Sequence, residues 1–179
     1  MQAVKMGLLS INESLDADVE SDKGIVGLKA WFDASLDNEI EYCSMLVPSK
    51  QDLIEQALIT LVDQAQCDVV FTTGGTGPYP NNLTPDATLA VAERVVLGLG
   101  EQMRKVSLHF IATAILSRQV GVVRQDCLIL NLPGRTKAIA ETLDGVKNAD
   151  GQTVVMGVFE AVAEGVAQLG KPLMVRKAK

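Results

Sequence analysis

Aromatic side chains are scarce in this chain, at 4% of its 179 residues, while apolar residues as a whole reach 47%. A core of that composition has to be built from Val, Leu, Ile and Ala, which suits helices packed on a buried parallel sheet and disfavours an aromatic-rich β-sandwich. Basic clusters are also missing. No run of five Lys or Arg occurs and the formal net charge is −6, so the chain lacks the positive surface that nucleic acid or an anionic membrane needs for counterion release. Neither is an expected partner, and the basic tail at residues 175–179 reads as a solvated terminus. Cys43, Cys67 and Cys127 form no C-x-x-C pair and His109 is the only histidine, which leaves no sequence case for zinc and reads as reduced core thiols. The first residues hold too short an apolar run for a secretory signal, and no segment approaches the roughly 20 apolar residues of a membrane span. The expectation is a cytoplasmic protein.

What is present is a strand and helix alternation within one domain, residues 1–179. Residues 4–11 form an apolar run with little alternation, as expected of a strand covered on both faces. Residues 24–36 place Ile25, Leu28, Trp31, Phe32 and Leu36 at helical spacing. Residues 40–47 return to strand composition and Pro48 stops them. Residues 50–65 carry one apolar stripe, and "CDVVFTT" (67–73) reads as a third strand. This order predicts right-handed βαβ units on a parallel sheet. Further on, residues 84–96 read as a helix with Thr84 as N-cap, Pro85 at its first position and Asp86 in its first turn. Residues 100–110, 136–146 and 158–169 read as helices, and 121–134 as two short strands around a polar turn.

The stretch "FTTGGTGPYPNNLTPDAT" (71–88) follows the third strand directly, and ligands in an open α/β sheet sit outside the carboxyl ends of strands. It holds no Lys or Arg and no carboxylate before Asp86. Glycine amides forming a nest, threonine hydroxyls and the helix start at Thr84 can nonetheless hold a phosphate. The stretch is neither a P-loop nor G-x-G-x-x-G. "NLPGRTKA" (131–138) repeats the design at another strand end. There Lys137 is placed against the helix dipole, so it either reaches out to solvent or supplies the charge that the threonine loop lacks.

"TTGGTGP", "LTPDAT", "GEQMRKVSLHF", "TAILSRQVG" and "LILNLPGRTKAIAETLDGV" together resemble the bacterial molybdopterin adenylyltransferases, in the same order and spacing from about Val4 to Phe159. The resemblance implies a three-layer α/β fold of the molybdenum-cofactor-biosynthesis type, with a mostly parallel sheet and helices on both faces, assembled as a homotrimer. It implies attack by the terminal phosphate of molybdopterin on the α-phosphorus of ATP, with Mg²⁺, releasing pyrophosphate. Matched to the family's ligand-binding positions are Thr73, Gly74, Gly75, Thr76, Gly77, Ser107, Pro133, Gly134 and Lys137. Glu101, Arg104, Ser117 and Arg118 match as well, the arginines reading as ion-pair or subunit-contact residues rather than substrate contacts.

The catalytic positions implied by the resemblance are Asn82, Ser49 and Asp86, and two of them depart from the family. The family's loop carries Asp where this chain has Asn82, and an acid where it has Ser49. Its Ser-Asp-Arg after the first strand is here Asn12, Glu13 and Ser14. Because Mg²⁺ favours carboxylates, these changes leave open a catalytically impaired molybdopterin-binding protein, or a purely structural oligomer subunit, beside the enzyme. Metal ligands are not assigned.

Overall fold

The computed structural model describes residues 3–13 and 18–173. Four strands run parallel: β1 (Val4–Ile11), β2 (Ile40–Val47), β3 (Val69–Thr73) and β6 (Cys127–Leu132). β5 (Gly121–Arg124) is antiparallel to β6, and the two-residue β4 (Arg94–Val95) pairs antiparallel with β5. The sheet order is β2-β1-β3-β6-β5-β4. β2 therefore lies on one side of β1 and β3 on the other, which makes the crevice between the β1 and β3 ends the topological switch point where ligands bind in such sheets.

The strand residues alternate between two cores. Val69 and Phe71 of β3, with Leu128, Leu130 and Leu132 of β6, pack under α1 (Lys23–Ser35), α4 (Leu97–Ser107), α5 (Thr136–Asp144) and α6 (Phe159–Gln168). Val70 and Ile129 point the other way, against α2 (Gln51–Ile59) and α3 (Thr84–Ala90). The three-layer α/β arrangement read from the sequence is the one found. The scarce aromatics are concentrated on one face: Phe32 lies 4.7 Å from Phe71 and 5.8 Å from Phe159, centroid to centroid, and Trp31 is 4.7 Å from Phe159. Full burial of a side chain such as Phe32 stabilises the fold by roughly 1.5–3 kcal/mol.

Two sequence expectations fail locally. The helix read over 84–96 stops at Ala90, because the following segment becomes an edge of the sheet: Glu93 N–H donates to Val123 O (3.0 Å) and Val96 N–H to Gly121 O (2.8 Å). Thr84 is inside that helix and Leu83 is the N-cap. The small hairpin of β7 (Gly145–Lys147) and β8 (Thr153–Met156) was not visible in the sequence pattern, since Thr153, Val154 and Met156 are exposed and the strands have no buried stripe. Among the described residues no helix is long and apolar enough to cross a membrane.

Candidate active site

At the switch point lies a cavity of about 430 Å³, lined by the end of β1 (Ser10, Ile11, Asn12), the start of α1 (Asp22, Lys23, Gly24), Thr73, Gly74 and Gly134. The two glycine loops meet there. Thr73 Oγ1 donates to Pro133 O at 2.8 Å, and a β-carbon on Gly134 would stand 3.3 Å from the Gly74 Cα. Gly74 and Gly75 are consecutive left-handed residues, with φ of +93° and +64°, a pair that side-chain-bearing residues adopt only with strain.

Thr84 holds this pair from behind. Its hydroxyl donates to Gly74 O at 2.9 Å and its N–H to Gly75 O at 3.2 Å. The second bond takes up Thr84's own amide. Both glycine carbonyls are tied back into the protein. Thr84 O in turn accepts from Thr88 Oγ1 (2.8 Å), which receives Asn131 Nδ2 at 2.9 Å, and that same nitrogen reaches Thr72 Oγ1 at 3.0 Å. Thr72, Thr84, Thr88 and Asn131 are all fully buried, so this network fixes the loop from a water-free side, where each bond is costly to break.

The outer half of the loop is organised by Arg118. Its N–H donates to Thr76 O (2.9 Å), Nη1 donates to Asn82 O (3.3 Å), and Nη2 pairs with Asp86 Oδ1. The intramolecular ion pair expected for Arg118 is therefore present. Arg104 differs: it donates to the carbonyls of Ser117 (3.4 Å) and Gln119 (3.0 Å). Ser49 Oγ donates to Asn81 O, which brings the residue before α2 against the turn that carries Asn82. Arg118 and Ser49 thus tie Thr76, the Asn81–Asn82 turn and Asp86 together, and none of these residues, nor Gly77, is among those lining the cavity.

Two matched positions are placed elsewhere. Ser107 is the last residue of α4, away from the cavity lining, and its carbonyl accepts from Phe110 and Ile111, both at 3.0 Å. Lys137 reaches out to solvent, 89% exposed and 3.5 Å from Glu141. Of the first-strand departures, Asn12 lines the cavity, Glu13 is exposed, and Ser14 lies outside the described residues. Ser10, Asp22 and Lys23 were not singled out in the sequence. Asp22 Oδ1 accepts the N–H groups of Gly24 and Ile25, both at 3.0 Å, so it caps α1. An Asp just before an apolar helical stripe is a recognisable start signal, and that start follows the first strand of a parallel sheet.

The donors do not suit a Mg²⁺ ion held by the protein. Mg²⁺ is usually bound through one or two carboxylates together with substrate phosphates. Here Ser49 and Asn82 are neutral, Asp86 is committed to Arg118, and Asp22 to its helix. No group of three or more His, Cys, Asp or Glu among the described residues is placed to hold a metal.

A doubly covered, mostly parallel sheet whose two glycine loops touch at its switch point is an α/β domain of the class that binds ligands in that crevice. Residues 22–150 match the family described as "Probable molybdopterin binding domain". The chain is 51% identical over 172 residues, 96% of its length and 88% of the relative's, to the molybdopterin adenylyltransferase of Escherichia coli (strain K12). It is 54% identical over 159 residues, 89% of its length and 81% of the relative's, to the molybdopterin adenylyltransferase of Haemophilus influenzae. Among solved structures, the molybdopterin biosynthesis enzyme MoaB of Thermus thermophilus superimposes with a TM-score of 0.76 at 30% identity, covering 94% of this chain and 98% of that one. The chain belongs to the molybdopterin adenylyltransferase family.

Proposed function

We propose that this protein adenylylates molybdopterin in molybdenum cofactor biosynthesis. The observation that carries the reading is the 51% identity to an adenylyltransferase along nearly the whole chain. The cavity bounded by both glycine loops is consistent with it, because the reaction must bring two phosphorylated molecules to one place. An oxygen of the terminal molybdopterin phosphate attacks the α-phosphorus of ATP. A new P–O bond forms, the bond to the β-phosphate oxygen breaks, and pyrophosphate leaves with the electron pair. The role of the chain is to position and to stabilise charge. Gly74 and Gly134 present backbone at the cavity, Thr73 and Thr84 fix that backbone, and Arg118 holds the turn bearing Asn82. Mg²⁺ enters in this reading on the phosphates of ATP.

The binding-only alternative raised by Asn82 and Ser49 is not favoured, since relatives about half identical to this chain carry the enzyme's name. A homotrimer is part of the proposal. It is supported by the exposed apolar side chains of Leu97, Ile111, Ile115, Leu116, Val154 and Met156, the residue type that subunit contacts cover. A cytoplasmic location is proposed with it. The test is pyrophosphate release from ATP and molybdopterin: release above a protein-free control is expected, and release equal to that control would refute the reading.

A further inference from the structure

Helix N-termini favour acidic side chains, because the dipole and free N–H groups make that end positive. At the candidate site two helix starts carry a lysine beside their acids, Asp22 at α1 and Asp52 at α2. Lys23 is the first residue of α1 and Lys50 is the N-cap of α2. These helices follow β1 and β2, which run parallel to each other and to β3, so both lysines stand at the end of the sheet where the glycine loop leaves β3. Both are exposed, and neither has an ion-pair partner among the described residues. Lys23 lines the cavity, and Lys50 follows Ser49, whose hydroxyl reaches the Asn81 carbonyl. Ser10 is 5% exposed and lines the same cavity, which makes its hydroxyl a neutral donor available there.

Two acids near the site are already committed, Asp22 to capping α1 and Asp86 to Arg118. We propose that Lys23 and Lys50 supply the positive charge facing the phosphates of ATP, with the Ser10 hydroxyl as a neutral donor, and that the protein anchors no divalent ion of its own. The inference rests on the adenylyl-transfer reading and concerns how that site neutralises its substrate. Two unpaired ammonium groups suit it, since a charge-assisted hydrogen bond to phosphate needs no carboxylate or metal beside it.

The experiment is calorimetric titration of the full chain with ATP, once in EDTA and once in millimolar Mg²⁺. The dissociation constants are expected to agree within about threefold, and Lys23→Ala and Lys50→Ala are each expected to weaken binding in EDTA by about tenfold, the low end for a charge-assisted bond. Lys→Arg at either position restores most of the affinity. Unchanged melting temperatures establish that these surface variants fold. Ser49→Asp combined with Asn82→Asp is expected to make binding tighter in Mg²⁺ than in EDTA. Mg²⁺ tightening binding to the unaltered chain tenfold or more, or lysine variants that bind as it does, would overturn the inference while leaving adenylyl transfer standing. Absence of ATP binding in both buffers would overturn the two together.

Discussion

Thr84 grips the glycine loop by two consecutive carbonyls, Gly74 O through its hydroxyl at 2.9 Å and Gly75 O through its N–H at 3.2 Å. The residue is fully buried, so the hydroxyl has no water to replace the bond it makes. Thr84→Val keeps the shape and removes the donor, leaving Gly74 O without it. The expected loss is about 1–3 kcal/mol of folding stability by urea denaturation, with Thr84→Ser recovering most of it. Equal stability of the Val and Ser variants would show that the clamp contributes nothing.

Gly75 makes the same point from the other side. A β-carbon there would stand 2.5 Å from Thr84 Oγ1, and the residue sits at φ +64°. Gly75→Ala is expected to cost at least about 1 kcal/mol and to lower pyrophosphate release more than it lowers the melting temperature of the remaining fold, because the loop must shift to admit the methyl group.

Arg118 ties Thr76, Asn82 and Asp86 together, yet its side chain and that of Asp86 are each 38% exposed. Solvent screens such a pair, so a double-mutant cycle on Arg118 and Asp86 should give a coupling below about 1 kcal/mol in stability. Its effect on function is expected to be larger. Arg118→Ala should reduce pyrophosphate release about tenfold by misplacing the turn that carries Asn82, whereas Asp86→Asn should reduce it less.

Arg124 holds Asp63 in a fork, Nε to Oδ1 at 2.9 Å and Nη2 to Oδ2. The Arg124 guanidinium lowers the Asp63 carboxyl below the usual carboxylate range. A carboxyl whose folded pKa is depressed adds stability above its unfolded pKa, about 4, and loses it as pH falls through the lower folded value. The melting-temperature gap between the unaltered chain and Asp63→Asn should be constant above about pH 5 and close below about pH 4. A gap that persists to the lowest pH would contradict the pairing.

Cys127 is almost fully buried, and burial pushes its thiol up to about 12; Cys67 is raised as well, chiefly by burial. Thiolate is the reacting form, so both should resist iodoacetamide at neutral pH in the folded protein and react readily in denaturant. Mass spectrometry of the alkylated peptides reads this directly.

The strand and helix order was legible because apolar spacing is a local property. The short, unalternating runs at 4–11 and 67–73 read as strands covered twice, and the stripe of Ile25, Leu28 and Phe32 as a helix face. The same local reading failed at 84–96, where Glu93 and Val96 find backbone partners on Val123 and Gly121. Those partners lie far along the chain, so helix propensity had no means of anticipating them.

For the site, the sequence by itself determined the glycine loops, the neutral Asn82 and Ser49, and a position beyond the third strand, because these follow from residue identity and strand order. Only the tertiary structure decided how those residues are used. Thr84 turned from helix cap to clamp because Gly74 and Gly75 fold back on it, Lys137 turned outward toward Glu141, and Asp86 went to Arg118. It also decided that Lys23 and Ser10, remote from the glycine loops in sequence, share their cavity. The physical reason is that a side chain's role depends on which groups compete for its hydrogen bonds and charge, and those competitors are assembled only when the sheet brings distant strand ends together.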